Sequence, residues 1–330
     1  MTYDALRTFG RRHRAPIMVL GSLGAAAIIA RVLAGRREEF QTALTSTALW
    51  VLAVAAALQL LALLVRSEAW HLCIGAAGGT VERRVLYRAS SLGVLGSLMQ
   101  GQLAVAARIT ALRRSSPEVC PQVPTLIAAE FPILAVEGAL AALTSFTLIG
   151  PLGLPWWLPL VFVAAMAAIG LGMRSLAARK GRELWRGLAA VRSPRVGSQV
   201  IGLVLVAVFA QIFRNWMLLH AVGVDASFFD AIAVLIAVVT LGQLPVGPSV
   251  GAAAAVLILG SSGVAAAAAA GVLTTVTGTV GGLVFAAWAG ADWIWIRRRT
   301  RRAGAARAVT RPALDPGVGN ALETGAAGTS

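Results

Sequence analysis

Ala43–Val65 is an apolar run long enough, and free enough of charge, to cross a lipid bilayer as one helix. Comparable runs follow at Val123–Ile149, Trp156–Met173, Gln199–Val222, Phe228–Val246, Val250–Gly271 and Val272–Ala291. A weaker one, Ala15–Ala34, is interrupted by Arg31 near its end, where an arginine can snorkel to the headgroups. With 58% hydrophobic and 13% charged residues and a mean hydropathy of +0.77, spans and short loops take up nearly all of the 330 residues. No length remains for a separate soluble catalytic domain. The expected fold class is all-α, a polytopic transmembrane helix bundle.

Charge sets the expected topology. Basic residues outnumber acidic ones 29 to 14, all but Lys180 being arginine, and the net charge of +15 sits in loops and at the ends. No basic domain stands apart from the membrane part, so the charge is read as topology and anionic-lipid contact, not nucleic-acid binding. Arg174–Arg195 and the tail from Arg297 belong inside, whereas Gly150–Pro159 and Ala221–Asp230 lack Lys and Arg and belong outside. Arg108, Arg113 and Arg114 then also lie inside.

Ala89–Ala107 contains Gly93, Gly96, Gln100, Gly101 and Gln102 and makes a poor lipid-facing helix. If it crossed fully, two arginine-rich segments would be forced outside, so the expectation is a re-entrant segment on the cytoplasmic face. The result is about eight crossings with both termini cytoplasmic in a bacterial inner membrane. Residues 1–14 form a basic N-terminus, 15–295 the transmembrane domain, and 296–330 a basic and then disordered tail. Arg11-Arg12-His13-Arg14 before an apolar run looks like a signal sequence, but the spans that follow point to a retained first helix. Trp70, Trp156 and Trp157 suit the membrane interface, and Trp293 and Trp295 anchor the last span.

Two cysteines and three histidines are scattered without ligand spacing, so neither disulfide nor metal is expected, and no cofactor. No Ser/His/Asp set or acidic cluster points to catalysis, and the chain is not expected to be an enzyme.

Thr240–Gly263 breaks the most apolar part of the chain from within, through Pro245, Pro248 and several glycines. Proline removes a backbone donor, and irregular backbone in hydrocarbon is tolerated only when packed in protein or lining a wet cavity. Either two helices meet head-on around a site, or a tight turn joins ordinary spans at the surface. A second interruption lies near Gly96–Gly101, in a corresponding place of the first half, which gives a weak two-half pseudo-repeat of the transporter kind.

Charged groups inside spans mark candidate sites. Glu130 and Glu137 are seven residues apart on one helix face, with Pro132 between them to kink it. Glu130 either holds a cation, a proton or a cationic headgroup, or pairs with an arginine such as Arg108; for Glu137 a structural partner is expected. Arg214, beside Gln211, Asn215 and Trp216, is either a site residue or a snorkelling one.

Arg66-x-x-x-Trp70, then Ser97–Arg114 (SLMQGQLAVAARITALRR), then Glu130, and the later run LPVGPSVGAAAAVLILGSSG, resemble the lysylphosphatidylglycerol synthase transmembrane-region family. This is the flippase-like membrane part of multiple peptide resistance factors, also found as stand-alone proteins. The resemblance covers roughly residues 15–295. Ser97, Gln100 and Val105 stand where the family tends to carry Asn, Pro and Glu, while Arg108 is kept. The resemblance implies a helical bundle with re-entrant elements that handles a phospholipid or polyprenyl-linked lipid, without synthase chemistry. Arg108 and Arg214 would contact lipid phosphate, since the guanidinium fork stays charged and binds two oxygens. Glu130 would balance charge, and Gln100, Gln243, Pro245 and Pro248 would wall the lipid site. Without transport, the chain would instead be a scaffold for a membrane-protein partner such as a glycosyltransferase.

Overall fold

The computed structural model describes residues 34–99, 101–115, 120–180, 193–242, 250–260 and 263–309, together with Ala27, Ala30, Arg31, Leu188 and Ala190. Most of the expected first span, Ala15–Ala34, lies outside these residues, as do Gln100, Gln243, Pro245 and Pro248. The described residues are helical and carry no strand. In chain order the helices are α1 (Arg37–Thr45), α2 (Leu49–Ala76), α3 (Arg83–Met99), α4 (Gly101–Ser115), α5 (Val123–Ala128) and α6 (Phe131–Thr144). After a short 3-10 turn come α7 (Ile149–Leu152), α8 (Leu158–Lys180), α9 (Pro194–Ala221), α10 (Phe228–Leu241), α11 (Val250–Leu259) and α12 (Val264–Val309). Among the described residues, four stretches are long and apolar enough to cross a membrane: Leu49–Ala76, Val123–Leu152, Pro194–Ala221 and Val264–Arg299.

Local chemistry explains where the helices begin. Pro194 occupies the first turn of α9, where its missing N–H costs nothing, and Ser193 accepts from the Val196 amide at 3.5 Å. Ser227 and Asp230 cap α10 reciprocally: the Asp230 amide donates to Ser227 Oγ at 3.2 Å and the Ser227 amide to Asp230 Oδ2 at 2.8 Å. Pro132 acts at a start, too. It cannot donate to the Ala128 carbonyl, so α5 ends at Ala128 and α6 begins afresh at Phe131. The expected kink between Glu130 and Glu137 is therefore a break, with Glu130 at the junction.

α2 and α9 form the antiparallel centre. Ala62 of α2 meets Ala207 and Ala210 of α9 midway along the pair. On one side of that point Ala69, Trp70, Cys73 and Ile74 join Leu86, Ile109, Leu112, Leu126, Ile133, Val200 and Val204 in one core. On the other, Val51 and Ala55 join Leu218, Leu219 and residues of α10, α11 and α12 in a second.

The structure departs from the sequence reading in three places. α2 does not stop at Val65 but continues through Arg66, Glu68 and His71 to Ala76, because those polar side chains find partners on neighbouring helices. Trp70 is fully buried rather than interfacial. The last two spans divide at residues 260–263 and not between Gly271 and Val272: Gly263 turns with φ +127°, and α12 runs unbroken from Val264. α3 and α4 pack against each other as two helices; a Cβ on Gly93 would lie 3.0 Å from the Ala104 carbonyl. Ala89–Ala107 is thus no single crossing helix.

Small residues set the closest approaches. A Cβ on Gly281 would lie 3.0 Å from the Ala56 carbonyl of α2, and one on Gly282 would lie 2.8 Å from Val94 of α3. The contact between α11 and α12 uses Gly251 and Gly271 instead, where a Cβ on Gly251 would fall 2.5 Å from the Gly271 oxygen. The contacts divide the chain into two units, Met1–Ala287 and Trp288–Ser330. Within the second, the Arg299 guanidinium stacks 3.7 Å over Trp295 and Arg297 lies 5.0 Å over Trp293.

Gly271→Ala is expected to destabilise the protein by about 1–3 kcal/mol, since rigid backbone blocks the added methyl. Gly202→Ala on α9, with nothing within 4 Å, should leave it unchanged or slightly more stable. Thermal melting of both variants in detergent checks this.

Candidate functional site

Among the described residues, two centres hold the buried charged side chains Glu130 and Arg214. The first is assembled from α2, α4 and the α5–α6 junction. Arg66 and Trp70 are four residues apart on α2 and share a face. Arg108 on α4 forms an ion pair with Glu130 through Nη2 and Oε1, with side-chain exposures of only 11% and 6%. Its guanidinium lies 4.1 Å over the Trp70 ring. Two turns along α6, Glu137 accepts from Arg66 Nη1 in a pair that is about a third to a quarter exposed, at 34% and 25%. Each carboxylate is thereby matched to one guanidinium.

Further along α2, Glu68 pairs with Arg83 at 2.8 Å and accepts from the Tyr87 hydroxyl at 2.7 Å. His71 Nε2 donates to the Val81 carbonyl at 3.1 Å. These bonds fasten the start of α3 to the end of α2.

The second centre differs in electrostatics. Arg214 on α9 is 6% exposed, and its Nη1 donates to Gln59 Oε1 of α2. No carboxylate among the described residues pairs with it. Its Nε has no hydrogen-bond partner there, and neither has the amide nitrogen or oxygen of Asn215, which is 1% exposed. Gly278 of α12 packs beside the guanidinium: a Cβ there would stand 3.5 Å from Nη1, in ordinary contact. The side chain turns inward to Gln59, so it does not snorkel along its own helix.

Arg108 and Glu130 are therefore together, as one of the two sequence readings has it, and Arg214 is held apart from them on another helix. Sequence reasoning missed Gln59 as a site residue, although it is an amide within an apolar span, and misplaced Trp70. Among the described residues no cluster of His, Cys, Asp and Glu is placed to hold a metal. No family model, curated protein or solved structure matches the chain.

Removing one partner of a buried pair leaves a bare charge in low dielectric. Glu130→Ala is expected to cost about 3–5 kcal/mol, whereas Arg108→Met with Glu130→Met together should cost far less. Unfolding titrations of the two single variants and the double variant measure the coupling.

Proposed function

We propose that the protein binds an anionic lipid, a phospholipid or a polyprenyl-linked one, and passes it across a bacterial inner membrane. The observation that carries this reading is Arg214. A guanidinium at 6% exposure, between apolar helices and without a described carboxylate partner, is costly unless an anion completes it. The unpartnered Arg214 Nε and the Asn215 amide supply donors to phosphate oxygens, and the Asn215 oxygen can accept from a hydroxyl beside that phosphate.

The proposed topology has about eight crossings and cytoplasmic termini. It sets the Arg108–Glu130 pair in the inner half of the bundle and Arg214 in the outer half. Kinship with the lysylphosphatidylglycerol synthase transmembrane-region family, on Ser97–Arg114 and the later Pro-Gly-rich run, is part of the same proposal, and no catalysis is proposed. Arg108 enters this account as a structural cation, since Glu130 already neutralises it. That neutral pair favours a second reading, a non-transporting scaffold for an envelope enzyme, which dispenses with any ligand.

Reconstitution into vesicles with a fluorescent anionic lipid separates the two. Arg214→Gln is expected to fold and to slow lipid movement about tenfold or more, the worth of one charged hydrogen bond. Arg214→Lys should recover only part, because an ammonium lacks the fork. Unchanged movement in Arg214→Gln contradicts the transport reading.

A further inference from the structure

The outward stripe of α4 is not used by either interior centre. Arg108 and Leu112 face inward, Leu112 being fully buried. Val105 and Arg113 lie eight residues apart along an adjacent exposed face, with Ala106, Thr110 and Arg114 beside them and the buried Ile109 between them at its floor. Against this stripe stand Val123 and Ile127 of α5, and the two helices enclose an open groove of about 620 Å³. That size falls within the roughly 300–1,000 Å³ range of small-molecule sites.

The groove is polarised along its length. Val105, Val123 and Ile127 make an apolar wall over the buried Ile109, with Val105 37% and Ile127 44% exposed. Arg113 and Arg114 close one end, in the last turn of α4. Both are exposed, and no ion pair holds either to a described carboxylate. An occupant needs an extended apolar part and an anionic head about one helical turn or two away. Among the molecules of a membrane this is the chemistry of an anionic phospholipid with a chain on the wall and its phosphate between the two guanidinium groups.

We infer that the α4–α5 groove is a separate binding site for one anionic phospholipid of the surrounding leaflet. It is distinct from the Arg214 centre and stands whether or not that centre transports. Because α4 also carries Arg108, a lipid seated there rests on the back of the helix that holds the Arg108–Glu130 pair.

The full chain in nanodiscs of mixed phosphatidylglycerol and phosphatidylcholine, released for native mass spectrometry, tests the site. A juxtamembrane arginine confers about a fivefold preference for anionic lipid. Arg113→Gln with Arg114→Gln should therefore lose one retained phosphatidylglycerol, its preference over phosphatidylcholine falling roughly twenty- to thirtyfold. Val105→Trp, which fills the apolar wall and keeps both charges, should lose the same lipid. Arg214→Gln should keep it, which separates this site from the transport reading. The same retained phosphatidylglycerol in the double-glutamine variant, or in Val105→Trp, overturns the inference.

Discussion

The ion pair between Arg108 and Glu130, roofed by Trp70, is the buried constraint around which α2, α4 and the α5–α6 junction are arranged, since neither charge can be left without the other. It joins three pieces of chain that also share one apolar core: the long α2, the α3–α4 pair and the junction that Pro132 opens between α5 and α6. Low dielectric makes such a pair strong when complete and punishing when broken. Arg66 and Glu137 repeat the arrangement nearer the surface, so α2 grips α6 through one guanidinium and meets α4 through Trp70. Polar residues that would end a lipid-facing helix at Val65 are instead what lets α2 continue to Ala76.

Against that closed centre, the environment of Arg214 reads as incomplete. Both arginines are buried in apolar helices, but one meets a carboxylate and the other a neutral amide. The difference assigns them different work. A compensated charge stabilises the resting fold, and under the proposed function the uncompensated one is completed by an anion. Arg108 meets α2 at Trp70 and Arg214 meets it at Gln59, on opposite sides of the Ala62–Ala207–Ala210 crossing, so one long helix carries both environments.

Much of the architecture was legible in the sequence, because hydrocarbon imposes length and polarity limits that few residues escape. The span over Gln199–Val222 appears as a helix close to those bounds, Ala43–Val65 is shifted to Leu49–Ala76, Val123–Ile149 is divided at Glu130, and the glycine-rich Ala89–Ala107 is shared between α3 and α4. The errors share a cause. Trp70 and the end of α2 were misread because hydropathy counts a residue's cost in lipid and is blind to a partner from a distant segment. Arg108 lies 22 residues from Glu130, and Gln59 lies 155 from Arg214. Such pairings are set by tertiary packing. The division near Gly263 was missed although Gly260-Ser261-Ser262-Gly263 is a turn-forming run, because the apolar pattern on either side of it reads as one continuous span. Which of Gly251, Gly271, Gly278, Gly281 and Gly282 touches which helix depends on the rotation of each helix, which an alanine-rich pattern does not encode.

The central claim is that Arg214 is completed by a phosphate. Solid-state NMR measures this directly, through 31P–15N dipolar dephasing of guanidinium-labelled protein in phospholipid bilayers, with Arg214→Gln used to assign the signal. The account predicts a buried guanidinium resonance that dephases within a few ångströms of phosphorus and vanishes in Arg214→Gln, while the Arg108 resonance, held by Glu130, does not dephase. An Arg214 resonance insensitive to phosphorus, alongside a protein still carrying its bound lipid, would contradict it.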